Sequence, residues 1–318
     1  MKIRYLGFLA VIALAVVWWQ PLNLNQTEVT VPGNASAREI ARSLCEQRVV
    51  RNVDEFLLWL RIMGQERYLK AGTYKLHRYK NPLYVIDRLT AGGRSEVLVT
   101  IPEGSTIHET ARVLADHGLV DYDRFTGLCR DRSFIAGCAV RASSLEGYLF
   151  PDTYSFSGMQ QEESIITTMV QNFWRRAANL GLENSDSLPQ IMILASIVEK
   201  EAKLEDERPV IARVFVNRLR AKRPLESCAT IFYAMKTEET FTPNHRLTDR
   251  DLRIDSPYNT YLHLGLPPGP ICSPGESSIR AAMAPADVDY LYFVAKGDGR
   301  HYFSRTFQEH VAAKDRYQ

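Results

Sequence analysis

The sequence lacks the short motifs that most readily identify an enzyme's chemistry. It contains no HExxH, GxSxG, P-loop or GxGxxG pattern, so no motif points to a zinc peptidase, an α/β-hydrolase or a nucleotide-binding enzyme. Its five cysteines have no CxxC or zinc-type spacing, and its seven histidines include no i, i+4 pair on a predicted helix. We therefore expect neither a metal nor a cofactor. For Cys129 and Cys138 the alternatives are a disulfide across a loop and buried free thiols, and we favour the thiols.

The sequence also has no large excess of positive or negative charge. Lys and Arg number 39 against 37 Asp and Glu, which gives a net charge of +2. This balance provides no argument for nucleic acid as a partner. Apolar residues make up 45% and charged residues 24% of the chain, as in ordinary folded proteins. Because 318 residues exceed one typical hydrophobic core, we expect two or three domains.

The N-terminus is the most informative part of the composition. The run from Tyr5 to Trp19 is uncharged and almost wholly apolar, ends in two tryptophans, and follows Lys2 and Arg4. We interpret residues 1–22 as a transmembrane anchor with a short cytoplasmic tail, because basic residues stay in the cytoplasm and tryptophans favour the membrane interface. The apolar run is somewhat short for a membrane span, and Ala13-Leu14-Ala15 resembles a cleavage site, so a cleaved signal peptide is the alternative. The anchor predicts a single-pass protein of the inner (plasma) membrane with its remaining residues on the periplasmic side.

One pattern of elements occurs twice after the anchor. Val29-Thr30-Val31-Pro32-Gly33 recurs as Val99-Thr100-Ile101-Pro102-Glu103, and each copy precedes a pair of predicted helices and a closing strand. We therefore predict tandem βααβ units over residues 28–95 and 96–158. The first resembles a LysM domain, a small βααβ fold that binds glycans containing N-acetylglucosamine; the alternative is two packing modules without a site. The predicted second helices and closing strands are Val53 to Met63 with Ala71 to Leu76, and Tyr122 to Arg130 with Gly147 to Phe156.

The remaining region, residues 159–318, is predicted to be mainly helical and is the candidate catalytic domain. Near its end, Tyr290 to Ala295 and His301 to Ser304 flank Gly297-Asp298-Gly299-Arg300, a pattern that predicts a β-hairpin. The fold class is therefore α+β, with a transmembrane anchor, two small βααβ units and a helical domain that carries a C-terminal β-hairpin.

The apolar run from Ile191 to Glu201 ends in two carboxylates and has the length and composition of a buried helix. At about 100° per residue, Glu201 shares a face with Ile197 and Val198, whereas Glu199 lies on the other side. A carboxyl group on an apolar face loses solvation in its charged form, so its pKa should rise toward the range of a general acid. Glu201 is therefore a candidate catalytic acid, and a solvated helix end is the alternative.

A long irregular segment rich in proline and glycine runs from Asp255 to Pro274. Segments of this length inside a compact domain are usually functional. Tyrosine rings cover the apolar faces of sugars, while hydroxyl and amide groups bind their polar substituents. The segment therefore predicts a sugar groove, with a structural surface loop as the alternative. Its candidate substrate-binding residues are Ser256, Tyr258, Asn259, Thr260 and Tyr261. Asn217 and Arg218, on the helix that follows Glu201, are further candidates.

Several stretches closely resemble the endolytic murein transglycosylases of the MltG or YceG-like family, and the resemblance runs from the apolar N-terminus to the C-terminus. The stretches are Leu194 to Ala202, Glu207-Arg208, Val214 to Leu219, Ser256 to Tyr261, Gly265 to Pro270 and Tyr290 to Ala295. The resemblance implies that Glu201 is the catalytic acid, and Glu199 is the alternative. In the family a segment commonly reads Gln-Ser-Asp-Pro-Thr, whereas residues 226–230 read Glu-Ser-Cys-Ala-Thr here. Ser227 and Thr230 match and become substrate-binding candidates, whereas Cys228 replaces the Asp of the family pattern.

The resemblance also implies a reaction. A lytic transglycosylase cleaves the bond between N-acetylmuramic acid and N-acetylglucosamine in peptidoglycan without water, and it leaves 1,6-anhydro ends. One residue suffices, since Glu201 would protonate the glycosidic oxygen and then accept the proton of the C6 hydroxyl. Peptidoglycan synthases are the implied protein partners. The rival hypotheses are a hydrolysing muramidase and a non-catalytic peptidoglycan-binding protein.

Overall fold

The computed structural model describes residues 26–32, 35–92, 96–157, 161–237, 245 and 247–317. The described residues divide into two compact units, one formed by those up to residue 97 together with 155–157 and the other by residues 98–154 together with those from 161 onward. The predicted anchor over residues 1–22 lies outside the described residues and stays a prediction. Among the described residues, no helix has both the length and the apolar character needed to cross a membrane.

The first unit has the predicted order of strand, two helices and strand. Strand β1 pairs antiparallel with β2, so that Val29 lies opposite Tyr74. The core of this unit is formed by buried side chains from all of these elements, including Val29, Leu44, Phe56 and Leu76. The resemblance to a LysM domain stays a prediction. The elements are β1 (Gln26–Val31), α1 (Ala37–Glu46), α2 (Val53–Ile62), β2 (Gly72–His77) and α3 (Pro82–Ala91).

The second repeat differs from its prediction in two places. A short helix that the sequence pattern did not predict follows α5, and Asp131 caps it by accepting a hydrogen bond from the Phe134 N–H at 2.8 Å. The closing strand begins only at Thr153, because residues 146–148, where we predicted its start, form a turn. Within that turn Gly147 has φ +87° and lies against Pro270, where an added Cβ atom would be 2.5 Å from the proline ring. Strands β3 and β4 form a two-stranded sheet. The elements are β3 (Glu96–Thr100), α4 (Ile107–Asp116), α5 (Tyr122–Leu128), α6 (Arg132–Gly137) and β4 (Thr153–Ser157).

The predicted helices and the hairpin of the C-terminal region are present. Strands β5 and β6 are antiparallel, with Phe293 opposite Phe303. Between the short 3₁₀ turn at Asp251–Arg253 and Glu276 the chain forms neither helix nor strand, as its proline and glycine content predicts. The elements are α7 (Glu162–Asn179), α8 (Leu188–Glu201), α9 (Arg208–Arg220), α10 (Cys228–Thr237), α11 (Glu276–Met283), β5 (Tyr292–Ala295), β6 (His301–Ser304) and α12 (Phe307–Tyr317).

Helix α8 is the centre of this unit. We predicted a buried helix, and every residue from Met192 to Val198 is buried, because α9, α10 and α11 all pack against the helix. The buried Ser196 hydroxyl donates to the Ile193 carbonyl at 2.7 Å and accepts the Ile271 N–H at 3.0 Å. This pair of hydrogen bonds fastens the irregular segment to the helix that ends at Glu201.

Candidate active site

Glu201 is the last residue of α8, and its carboxyl group is held by the turn that begins α10. The Ser227 hydroxyl donates to Glu201 Oε1 at 2.6 Å. Burial raises the pKa of Glu201 above its ordinary value, and the hydrogen bonds from Ser227 and from the Ala229 N–H offset only part of that rise. The group is therefore protonated over a wider pH range than a solvated glutamate, while its ionised form still has two donors to stabilise it.

Two cavities meet at this carboxyl group. Glu201 and Cys228 line both of them. The first, which we call the tyrosine cavity, has a volume of about 430 Å³ and is lined by Thr106, Lys200, Glu201, Cys228, Ala229, Phe232, Tyr233, Lys236, His245 and Ile271. The second, the hairpin cavity, has a volume of about 510 Å³ and is lined by Glu201, Arg218, Leu225, Glu226, Cys228, Tyr261, Phe293, Val294, Ala295, His301, His310 and Lys314.

The wall of the tyrosine cavity is supported by a buried carboxyl group. Tyr233 packs against Tyr258 with ring centroids 4.8 Å apart and ring planes tilted by 54°, and its hydroxyl donates to Glu146 Oε2 at 3.3 Å. The oxygens of Glu146 also accept the Ile107 N–H at 3.1 and 3.3 Å. Burial raises the pKa of Glu146 to about 8. Glu146 thus joins the start of α4 to the aromatic wall of the cavity.

The hairpin cavity contains a histidine that Glu207 holds in place. Glu207 accepts the His301 N–H at 3.0 Å and lies 2.8 Å from its ring Nδ1. On the same side, the Tyr261 hydroxyl lies 3.1 Å from Cys228 Sγ. Glu226, the other carboxylate of this cavity, is paired with Arg218 at 2.7 Å.

Glu199, the alternative acid, lies in a different environment. Its Oε2 accepts hydrogen bonds from Arg208 Nη1 at 3.0 Å and from the Gly275 N–H at 2.9 Å. Its side chain is 7% exposed, and that of Arg208 is 10% exposed. Since Glu199 lines neither cavity, the geometry favours Glu201 as the catalytic acid.

The chain belongs to the family that the sequence analysis suggested, as comparisons with known proteins show. The profile of the YceG-like family matches residues 29–316. This chain is a member of the YceG-like family. A Bacillus subtilis relative named endolytic murein transglycosylase is 32% identical over 308 residues, which cover 91% of this chain and 84% of the relative. A Streptococcus pneumoniae relative of the same name is 29% identical over 91% of this chain and 58% of its own length.

A solved structure agrees with this assignment. The crystal structure of a YceG-like protein from Listeria monocytogenes is 32% identical, has a TM-score of 0.61, and is matched over 91% of this chain and 99% of its own chain. The mixed helical and sheet architecture described above is thus that of a YceG-like protein.

The YceG-like fold places four of the predicted substrate-binding residues around Glu201 without aiming them at an open cavity. Thr230 is fully buried, and its hydroxyl lies 2.9 Å from that of Thr260. Thr260 also accepts the Ser227 N–H at 3.1 Å. Asn259 is fully buried, and its amide donates to the Leu252 and Ile254 carbonyls. These side chains fix the loop and the Ser227 turn, so their geometry favours a positioning role over direct sugar contact.

Arg218, Asn217 and Ser256 also have their polar atoms engaged inside the protein. Asn217 donates to the Val288 and Tyr290 carbonyls, both at 3.0 Å. Ser256 is 5% exposed, and its hydroxyl accepts the Tyr258 N–H at 3.4 Å. Arg218 is buried but does line the hairpin cavity. Of the predicted loop residues, only Tyr261 lines one of the two cavities. Tyr258 lines neither, but its ring packs against that of Tyr233.

The sequence analysis did not single out several residues that the fold brings to Glu201. Lys200, Phe232, Tyr233 and Lys236 line the tyrosine cavity. Two aromatic residues and a lysine on α10, directly after the Ser227 turn, were the available signal. Cys129 and Cys138 are both free thiols. The described residues contain no group of His, Cys, Asp and Glu that could hold a metal ion.

Proposed function

We propose that this YceG-like protein is an endolytic lytic transglycosylase that cleaves the glycan strands of peptidoglycan, with Glu201 as its catalytic acid and base. The observation that supports the proposal most directly is the position of Glu201 where two cavities meet. A polymer bound across both cavities would place a bond between two sugars beside this carboxyl group. The names of the Bacillus and Streptococcus relatives support the same reaction.

Glu201 is suited to act first as an acid. Burial raises its pKa, so a larger fraction is protonated near neutral pH. Because Oε1 accepts the Ser227 hydroxyl at 2.6 Å, the carboxyl proton is left on Oε2. That proton passes to the glycosidic oxygen as the bond to the muramoyl C1 breaks.

Glu201 then acts as a base. The ionised carboxylate, stabilised by Ser227 and the Ala229 N–H, takes the proton of the muramoyl C6 hydroxyl as that oxygen bonds to C1. The products are a 1,6-anhydro sugar and a free N-acetylglucosamine hydroxyl, and Glu201 is protonated again. A hydrolysing glycosidase would normally need a second carboxylate. Among the described residues that line the two cavities, Glu226 is the other carboxylate, and it is paired with Arg218.

The proposal includes a cellular setting. A transmembrane anchor over residues 1–22 would hold the catalytic domain on the periplasmic side of the inner membrane, where peptidoglycan lies. The LysM-like unit over residues 28–95 would bind or space the glycan, and peptidoglycan synthases would be partners. Washed membranes should therefore retain the full-length chain with its N-terminal tryptophans, whereas a soluble mature form that begins after Ala15 would refute the anchor.

Mass spectrometry of murein digested by the purified protein tests the reaction itself. We expect new 1,6-anhydro ends and internal cleavage of the strands. New reducing ends would instead identify a muramidase, and intact strands a binding protein. The Glu226→Gln variant separates the transglycosylase from the muramidase. A transglycosylase that uses Glu201 alone keeps forming anhydro ends in this variant, whereas a muramidase that depends on Glu226 stops forming reducing ends.

A further inference from the structure

The tyrosine cavity contains a positive charge that the acid and base chemistry does not use. Lys200 directly precedes Glu201, is exposed and lines this cavity. Its ammonium group lies over the turn at Gly104, where an added Cβ atom would be 3.5 Å from Nζ. The side chain therefore lies along the protein surface at the edge of the cavity.

Within the part of the chain that the structure describes, the ammonium group of Lys200 has no close acidic partner. Lys236, the other lysine of the cavity, is paired with Glu109 at 2.7 Å, and His245 lies 2.9 Å from Asp251. Lys200 contributes to the lowered pKa of Glu109, but among the described residues no carboxylate lies within ion-pair distance of its ammonium group. Among the described residues that line the tyrosine cavity, Lys200, Lys236 and His245 have basic side chains, and Glu201 has the one carboxyl group.

An ammonium group that lies at the edge of a binding cavity and has no carboxylate partner among the described residues is suited to bind a carboxylate of the ligand. The inference rests on the proposed function, in which the ligand is a glycan containing N-acetylmuramic acid. Each such sugar has a lactyl carboxyl group, which is either free or extended by a peptide that has carboxylates of its own. We propose that Lys200 binds a carboxylate on the muramoyl substituent of the strand and so positions the strand in the tyrosine cavity beside Glu201.

Binding measured in the Glu201→Gln background tests this proposal without depending on cleavage. The probes are uncrosslinked glycan strands with stem peptides, the same strands with their carboxylates amidated, and strands from which the peptides have been removed. Adding Lys200→Met should weaken binding of the first probe about tenfold, as expected for one charge-assisted contact. It should leave binding of the amidated probe unchanged, and the difference should shrink at high salt. Because the lactyl carboxyl of the first probe is amide-bonded to the peptide, an effect seen with that probe and absent with peptide-free strands would assign the contact to a peptide carboxylate. An effect on the peptide-free strands as well would show that Lys200 also binds the free lactyl carboxylate.

Lys203→Met is the matched control, because Lys203 is an exposed lysine two residues after Glu201 and lines neither cavity. It should bind all three probes as the parent does. The proposal is overturned if Lys200→Met binds the carboxylate-bearing strands normally, or if it loses as much affinity for the amidated strands. The Lys200→Arg variant should keep most of the binding because it keeps the charge. If wild-type protein cleaves no murein, the proposed reaction fails, but these binding comparisons still decide the role of Lys200.

Discussion

Helix α8 brings Glu199 into one environment and Glu201 into another, although only Lys200 separates them. Glu199 is bound to the guanidinium group of Arg208 and to the Gly275 N–H. Glu201 is bound to the neutral hydroxyl of Ser227 and lines two cavities. One carboxylate thus joins α8 to α9 and to the start of α11, and the other faces the space where a substrate can bind.

The difference shows that the partner of a buried carboxylate indicates its role better than burial alone. A guanidinium partner joins two elements through a charge pair and favours the ionised form of the carboxylate. A hydroxyl and an N–H can stabilise the ionised form of an acid without keeping it ionised, so the group can give and regain a proton. The following predictions test this distinction.

The largest effect is expected for Glu201→Gln. The variant should lose at least a hundredfold in the rate of murein cleavage, because general acid–base catalysis contributes on the order of 10² to 10⁴. Its thermal unfolding and its binding to sacculi should stay close to those of the wild type, since an amide can still accept the Ser227 hydrogen bond. Muropeptide analysis against time measures the rate. Wild-type cleavage by this variant would contradict the proposed mechanism.

Glu199→Gln should show the opposite result. It leaves Arg208 as a buried cation without its carboxylate, so the free energy of unfolding should fall by about 3 kcal/mol. The folded fraction should still form anhydro ends, because the Glu201 carboxyl and both cavities are untouched. Urea unfolding and activity per folded molecule measure the two quantities. A stable but inactive Glu199→Gln protein would transfer the role of the acid to Glu199.

The sequence predicts much of the fold because most of its signals are local. The Ser36 and Glu39 side chains form the capping box that starts α1, and Thr106 with Glu109 does the same for α4. Helical spacing places Glu201 beside Ile197 and Val198. The glycine turn after Ala295 predicts the C-terminal hairpin, and it is present.

The parts that were not predicted depend on contacts between distant residues. The buried Ser196 hydroxyl accepts a hydrogen bond from the N–H of Ile271, which lies 75 residues later in the sequence. Helical periodicity could not indicate this partner. Thr260 and Asn259 look like sugar ligands in the sequence, but in the fold their polar groups bind the Ser227 turn and nearby carbonyls. Loop residues that hold a site and loop residues that contact a ligand have the same composition.

Glu146 extends the comparison to a buried carboxyl group that forms no ion pair with any residue that the structure describes. Burial raises its folded-state pKa to about 8 from 4.5, so between these values the folded protein binds more protons than the unfolded chain. Its contribution to stability is complete below pH 4.5 and is lost as the pH rises through about 8. The free energy of unfolding of the wild type should therefore decline with pH in this window by up to about 1.4 kcal/mol per pH unit.

Glu146→Gln should flatten this decline, because the amide does not titrate and can still accept the Ile107 N–H. Urea titrations at several pH values, compared with wild-type protein and with the exposed-site variant Glu183→Gln, measure the slope. An unchanged slope in Glu146→Gln would show that another group causes the pH dependence. A Tyr233→Phe variant, which removes the hydroxyl bound to Glu146, should alter the slope less than Glu146→Gln does.

The smallest effect is expected for Ser227→Ala, and it tests the site of Glu201 most directly. The Ser227 hydroxyl lowers the pKa of Glu201, and burial raises it by more, so removal of the hydroxyl should raise that pKa further. Cleavage requires the protonated acid, and kcat/KM falls as the pH rises through its pKa. The basic limb of the pH profile should therefore move to higher pH by about the same amount. Thr230→Ser, which keeps the hydroxyl that bonds the Ser227 carbonyl, should leave this limb in place. A limb that stays fixed or moves to lower pH in Ser227→Ala would mean that a group other than Glu201 controls it.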